Sequence, residues 1–188
     1  MFIRSERLFL RPGWPEDWEE LLTSIGDEAV VRNLAKAPWP YTVADARWFA
    51  ARPQDPRCPH FFITVPTSAE PAQIIGSVGL GVNDGEIDLG YWIARDHWGR
   101  GYATEAARAV LRLAAMLGHR RISAGHFTDN PASGRVLAKV GFVPTGEVRP
   151  RFSLARGSEV PAVIHALTLD QPCECDGEGD SDRTMRVA

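Results

Sequence analysis

A glycine-rich segment that leads directly into the strongest helix pattern of the chain limits its possible folds most. Gly99 and Gly101 lie one residue apart, and apolar residues then recur at helical spacing until Leu117, where Gly118 follows. Glycine permits a tight turn and close approach of a ligand. The free N–H groups and the positive dipole end of a first helical turn favour an anion, so this segment predicts a phosphate or pyrophosphate site. A strand-to-helix turn without a ligand is the alternative.

The sequence of this loop separates it from two common nucleotide-binding loops. Residues His97 to Ala106 read H-W-G-R-G-Y-A-T-E-A. They match neither G-x-x-x-x-G-K-[ST] nor G-x-G-x-x-G, so the fingerprints of nucleoside triphosphate and dinucleotide binding are missing. Arg100 can add a charge-assisted contact to the predicted anion.

The residue patterns along the chain predict an α+β fold. Their order is β-α-α-β-β-β-α-β-α-β-β, which favours a mostly antiparallel sheet with one parallel crossover in the second half. Asn83-Asp84-Gly85 predicts a hairpin turn, and Asn130-Pro131 predicts a helix start. The predicted strands are 2–11, 60–65, 73–82, 86–94, 121–127, one or two from 142 onward, and 159–169 as the last; the predicted helices are 15–25, one after Thr42, 101–117 and one from 131 to about 141.

Length and composition indicate one globular domain with a short appendage. The chain has 188 residues, of which 44% are hydrophobic and 24% charged. No apolar run is long enough to span a membrane, and the start lacks the features of a signal peptide. Cys58, Cys173 and Cys175 are too few for a disulfide framework. These features predict a cytoplasmic protein.

The charge is concentrated at the end of the chain. Residues 171–188 carry five acids and two bases, which accounts for the net charge of −3 and leaves the rest neutral. A neutral body has no long-range positive field, so nucleic-acid binding is disfavoured. We therefore expect a domain at 1–170 and an acidic, flexible tail at 171–188.

Four motifs in order carry a resemblance to a known family. They are S-E-R-L-F-L-R-P near the start, D-L-G-Y-W-I from Asp88, W-G-R-G-Y-A-T-E-A from Trp98, and D-N-P-A-S-G-R-V-L-A-K-V-G-F from Asp129. Together they span nearly all of residues 1–170. The chain resembles the GCN5-related N-acetyltransferases (GNAT), and more narrowly their RimJ/RimL-like ribosomal-protein branch. Trp98 stands where the general family often has Gln or Arg, a departure that is usual in this branch.

The resemblance implies an enzyme that uses acetyl-CoA as co-substrate. It implies a mixed α/β fold with a mostly antiparallel twisted sheet, splayed between its fourth and fifth strands and flanked by helices. The acetyl group would pass directly to a primary amine in a ternary complex, and an N–H near Ile93 would polarise the thioester carbonyl. The residues expected to bind the cofactor are Ile93, Ala94, Gly99, Arg100, Gly101, Tyr102, Ala103, Thr104, Asn130 and Ser133.

Amine acetylation also needs a base and a donor to the leaving thiolate. An alkyl amine is protonated at neutral pH and must lose a proton before it attacks. Glu86 and Asp88 lie two residues apart and share one face of a strand, so either can be the base, and Glu147 is a further candidate. Ser133 is the candidate donor. Glu105, in a first helical turn, is interpreted as structural.

Several alternatives remain open at this stage. The acceptor can be a protein N-terminus or a small-molecule amine. A non-catalytic acyl-CoA-binding sensor or assembly module on the same fold is the competing function. The C-x-C of Cys173 and Cys175 has no nearby histidine, so no metal site is expected. Neither a membrane nor a nucleic-acid partner is expected. Dimers are common in this family, so a homodimer is one option, and the oligomeric state stays open.

Overall fold

The computed structural model describes residues 1–66 and 72–169. The predicted acidic tail, with Cys173 and Cys175, lies outside these residues, so the division at residue 170 stays a prediction. The strands in the described part are β1 (Ile3–Arg4), β2 (Phe9–Arg11), β3 (His60–Val65), β4 (Gln73–Asn83), β5 (Glu86–Ile93), β6 (Arg121–Phe127), β7 (Val143–Ser153) and β8 (Ser158–Thr168). The α-helices are α1 (Trp18–Ile25), α2 (Glu28–Val31), α3 (Val43–Ala50), α4 (Tyr102–Met116) and α5 (Pro131–Lys139).

The strands form one mixed sheet that opens near its middle. Their order is β1-β2-β3-β4-β5-β6-β8-β7, and every pairing is antiparallel except β5 with β6. Those two strands share a single registered pair, Asp88 with Ser123, and part beyond it. They are the fourth and fifth strands of the sequence prediction. The predicted fold, mostly antiparallel and open at this position, is confirmed.

Two apolar clusters cover the two faces of the sheet. One cluster joins α4 and Leu137 of α5 to side chains such as Leu89 and Ile93 of β5 and Ile122 of β6. The other joins α1, α2 and α3 to Phe62 and Trp92 on the opposite face. Because side chains alternate along a strand, neighbouring residues of β5 face different helical layers. This alternation gives the opening between β5 and β6 two chemically distinct sides.

The predicted helix starts agree with the caps in the structure. The Thr42 side chain accepts the Asp45 N–H, and the Asp45 carboxylate accepts the Thr42 N–H, which together form a capping box at α3. Asn130 Oδ1 accepts the Ser133 N–H at 3.3 Å and caps α5. None of the helices in the described ranges is long and apolar enough to cross a membrane.

Two local predictions need correction. The single strand expected from Phe2 to Arg11 is the pair β1 and β2, because the chain turns where the Ser5 N–H donates to the Leu8 carbonyl at 3.0 Å. The short helix α2 was not predicted. It has four residues, too few to show a helical period, and is capped by Asp27, whose side chain accepts the Ala29 N–H.

Candidate active site

The loop before α4 presents a row of free backbone donors. Gly99 and Gly101 have φ of +75° and +80°, a left-handed conformation that favours glycine. A Cβ on Gly99 would meet no atom within 4 Å, and one on Gly101 would meet only an Arg7 nitrogen at 3.5 Å. Within the described part of the chain, no hydrogen bond uses the N–H groups of residues 99–104. These donors meet at the positive end of a 15-residue helix and can bind an anion.

The first turn of α4 is fixed by the segment between β1 and β2. Glu105 accepts hydrogen bonds from the Ser5 hydroxyl (2.7 Å), the Arg7 N–H (2.7 Å) and the Arg7 Nε (2.8 Å). Arg7 also donates to the Arg100 carbonyl at 3.0 Å. Glu105 therefore holds the loop in place, in agreement with its structural interpretation.

Replacing Glu105 is expected to weaken the fold in a pH-dependent way. Burial alone would raise the pKa of Glu105, but the contacts with Arg7 and Ser5 outweigh it and hold that pKa below its usual value of 4.5. Stabilisation from a lowered carboxyl pKa is complete above the unfolded value and is lost as the pH falls through the folded one. Glu105→Gln should lower the free energy of unfolding by about 1–2 kcal/mol at pH 7 and by much less near pH 3.

Urea unfolding at the two pH values measures this difference. Glu19→Gln is the matched control, because Glu19 lies in the first turn of α1 and is exposed. Its replacement should change the free energy by less than about 0.5 kcal/mol. Equal losses in the two variants would mean that the helix dipole, rather than the contacts to Ser5 and Arg7, accounts for the effect.

Backbone donors of β5 face the opening between β5 and β6. The Ala94 N–H donates to the Ile75 carbonyl of β4 at 2.8 Å. In an antiparallel ladder the hydrogen-bonding direction alternates, so the N–H groups of Tyr91 and Ile93 point away from β4. The Ile93 carbonyl accepts the Trp98 indole N–H at 2.6 Å. The edge of the opening thus offers the N–H groups and the carbonyls of Tyr91 and Ile93, and of these four groups the Ile93 carbonyl is already bonded.

On the α4 and α5 side, a tyrosine and a serine meet across the opening. The Tyr91 hydroxyl lies 2.8 Å from Ser133 Oγ and 3.1 Å from the Ser133 carbonyl. Burial raises the pKa of Tyr91 to about 12, so the phenol keeps its proton at neutral pH. The sequence analysis named Ser133 but not Tyr91. The position of Tyr91, two residues before Ile93 and hence on the same face, was the signal that could have found it.

The predicted carboxylates lie in different surroundings. The Asp88 side chain is 19% exposed, and burial raises its pKa against the opposing charge of Arg151. Glu86 is exposed at the hairpin end of β5 and lines a small polar cavity with Arg149. Glu147 is exposed and paired with Arg149 on β7. Of these acids, only Asp88 is largely shielded from solvent, and it lies at the start of the opening.

No group of three or more His, Cys, Asp or Glu residues in the described ranges is arranged to hold a metal ion. Cys58 is a buried free thiol in the loop before β3.

Comparison with known proteins gives the family. The sequence model described as "Acetyltransferase (GNAT) domain" matches residues 7–143, well over half of the chain. YoaA of Bacillus subtilis (strain 168), named an uncharacterized N-acetyltransferase, is 30% identical over 171 residues, which cover 88% of this chain and 95% of YoaA. The matched domain and the named relative define an acyltransferase class of enzyme. The chain belongs to the GNAT acetyltransferase family.

Solved structures share the fold at lower sequence identity. RimL, the ribosomal L7/L12 α-N-protein acetyltransferase solved with coenzyme A, superposes with a TM-score of 0.73 at 18% identity, over 92% of this chain and 100% of RimL. MccE, the microcin C7 self-immunity acetyltransferase solved with acetyl-CoA and AMP, gives 0.72 at 20% identity, over 88% and 94%. At these identities the likeness concerns the fold.

Proposed function

We propose that this enzyme transfers the acetyl group of acetyl-CoA directly to a primary amine in a ternary complex, as a RimJ/RimL-like N-acetyltransferase. The observation that carries the proposal is the opening between β5 and β6, which adjoins the row of free N–H groups before α4. The acetyl-CoA bound to MccE and the coenzyme A bound to RimL, which have the same fold, support this choice of co-substrate. The acceptor is a small-molecule amine or a protein N-terminus.

The loop fits the pyrophosphate of the co-substrate. Backbone N–H groups from Gly99 to Thr104, with the dipole of α4 behind them, would hold the phosphate oxygens, and Arg100 adds a positive charge. The pantetheine arm would then run along β5 towards the opening, past Ile93 and Ala94. At α5, Asn130 would act beside the arm while it caps the helix.

The N–H groups of Tyr91 and Ile93, which both face the opening, would bind different parts of acetyl-CoA. Tyr91 lies three residues from Asp88, about 10 Å along an extended strand, whereas Ile93 lies about 17 Å away. The thioester carbonyl must sit near the base, so we assign it to the Tyr91 N–H and assign pantetheine to the Ile93 N–H. A donor aimed at this carbonyl stabilises the negative charge that develops on its oxygen.

Acid and base then lie on opposite sides of the opening. Asp88 faces the layer of α1 to α3 and would take the amine proton, directly or through a water. On the other side, the Tyr91 side chain points towards α5, where its hydroxyl is hydrogen-bonded to the Ser133 hydroxyl. This pair of hydroxyls can donate a hydrogen bond to the departing thiolate. Glu86 is one strand repeat further away and fully on the surface, which makes it the weaker candidate for the base.

Calorimetric titration with acetyl-CoA, followed by an assay of thiol release, tests the proposal. We expect micromolar binding, and thiol release that requires an added amine, because transfer is direct. Micromolar binding without release on any amine would favour the alternative function, a non-catalytic acyl-CoA sensor or assembly module. Absence of binding by folded protein would contradict both. The cytoplasmic location and the homodimer stay predictions.

A further inference from the structure

On the Asp88 side of the opening, β5 and β6 each carry a glycine, and we call the space between these two glycines the hollow. Gly90 and Gly125 each lie two residues beyond the registered pair of Asp88 and Ser123, one on each parallel strand. A Cβ on Gly90 would meet no atom within 4 Å. The hollow is bordered by Asp88 at one end and by Trp92 at the other, because both share the face of Gly90.

The guanidinium of Arg151 lies over this hollow. A Cβ on Gly125 would be 3.0 Å from Nη1 of Arg151 and 3.1 Å from its Cζ. The guanidinium therefore rests on the bare backbone of Gly125, and a larger residue there would displace it. Only 22% of the Arg151 side chain is exposed, although it starts from a strand whose residues are mostly on the surface.

Arg151 forms an ion pair with Asp88 but no hydrogen bond of ordinary length with an acceptor among the described residues. Its closest carboxylate oxygen, Oδ1 of Asp88, is 3.5 Å from Nη2, which is longer than an ordinary N–H···O hydrogen bond. That Oδ1 is itself buried and has no hydrogen-bond partner among the described residues. A guanidinium has five N–H donors, and those of the partly exposed Arg151 stay available to an acceptor other than Asp88. Arg151 and Asp88 can therefore both form hydrogen bonds with a ligand placed beside them.

A second positive charge lies near the same place. The segment before α3 crosses the end of β7, where the Leu154 N–H donates to the Ala35 carbonyl at 3.0 Å and Ser153 Oγ donates to the Leu34 carbonyl at 3.4 Å. The adjoining Lys36 is close enough for its charge to lower the pKa of Asp88, although burial keeps the net shift upward. The hollow thus combines a carboxylate suited to an amine with a guanidinium suited to an anion, and the charge of the exposed Lys36 acts in the same direction as that of Arg151.

We propose that Arg151 binds a carboxylate of the acceptor, so that the acceptor is a small amine carrying a carboxylate on the same molecule, as free amino acids do. The planar fork of a guanidinium matches the two oxygens of a carboxylate. The inference rests on the proposed acetyl transfer and specifies its acceptor. When the acceptor binds, its amine lies towards Asp88 and its carboxylate towards Arg151 and Lys36.

Matched pairs of acceptors test this assignment. The probes are the free L-amino acids found in proteins and the corresponding amino-acid amides, which keep the amine and lose the negative charge. For every probe, kcat/KM is calculated for the concentration of unprotonated amine. The wild type should prefer its best acids over the corresponding amides by about 30-fold or more. Arg151→Gln should remove that preference by lowering kcat/KM for the acids about 30-fold, while the value for the amides, compared at a pH above the acid limb of both enzymes, changes less than about threefold.

Two further variants separate binding from structure. Arg149→Gln removes an exposed arginine of the same strand that pairs with Glu147, and it should leave the preference unchanged. Arg151→Lys keeps a charge without the fork and should retain part of the preference; it also replaces Arg151→Gln if that variant does not fold. Because the Arg151 charge lowers the pKa of Asp88, the acid limb of kcat/KM on amides should move to higher pH in Arg151→Gln.

The outcomes distinguish this inference from the proposed function. Equal use of acids and amides by the wild type would overturn the carboxylate assignment, as would an unchanged preference in Arg151→Gln. Binding of acetyl-CoA without acetylation of any amino acid would also overturn it and leave the co-substrate proposal intact. Failure to bind acetyl-CoA would instead contradict the proposed function itself.

Discussion

Asp88→Asn should lower kcat/KM for amine acetylation by about 10²- to 10⁴-fold, the range typical for loss of a general base. The amide keeps the size of the carboxylate but cannot take the proton of the attacking amine. Burial raises the pKa of Asp88 above its usual 3.8, so the acid limb of the wild-type pH profile should lie above that value. With kcat/KM calculated for the unprotonated amine, so that the ionisation of the amine does not contribute, the limb should disappear from the residual activity of the variant. Steady-state thiol release across the pH range measures both effects.

Glu86→Gln is the companion variant for this prediction. It removes a carboxylate from the same face of β5, but at an exposed position two residues further from Tyr91. We expect less than a threefold change in kcat/KM. A large loss in Glu86→Gln, with little change in Asp88→Asn, would assign the base to Glu86. Unchanged acetyl-CoA binding in both variants would show that the loss concerns chemistry rather than the co-substrate site.

Gly101→Glu should weaken acetyl-CoA binding by about 100-fold or more. The new carboxylate would stand among the N–H groups that we assign to the pyrophosphate, and two like charges a few ångströms apart repel by one to several kcal/mol. An acid at the start of a helix is compatible with the dipole, so the variant should fold despite the positive φ. Calorimetric titration measures the loss of affinity.

Gly118→Glu is the control for backbone strain and for charge. Gly118 has φ of +82°, follows the other end of α4, and leaves open space for a side chain. Both variants therefore carry the same substitution in the same left-handed conformation. If Gly118→Glu weakened binding as strongly as Gly101→Glu, the effect would come from general destabilisation, and the loop would lose its assigned role.

Local features of this fold could be predicted from the sequence because short-range physics determines them. The caps at Thr42 and Asn130 depend on residues three apart, and the α4 helix follows from its apolar periodicity. The hairpin at Asn83 likewise follows from turn residues. The motifs of the GNAT family then supplied the opening between β5 and β6, which no local pattern indicates.

Sequence patterns could not predict contacts between residues that lie far apart in the chain. Arg151 and Asp88 are 63 positions apart in number, and their approach depends on the order of β6, β7 and β8 in the sheet. Tyr91 meets Ser133 because α5 packs over the opening, not because of any spacing between them. The choice between Glu86 and Asp88 likewise required their burial, which alternation along one strand cannot give.

Because β5 and β6 share a single registered pair, the sheet is weakly paired at this position. The five strands up to β5 and the three strands from β6 onward are two half-sheets that share that one registered pair. The apolar cluster under α4 and side-chain contacts such as Arg151 with Asp88 and Tyr91 with Ser133 also connect them. Apolar contacts have no preferred direction, so the half-sheets can tilt against each other without breaking a ladder of hydrogen bonds. The proposed active site lies between the two half-sheets, so a ligand that contacts both would add connections between them that strand pairing does not supply.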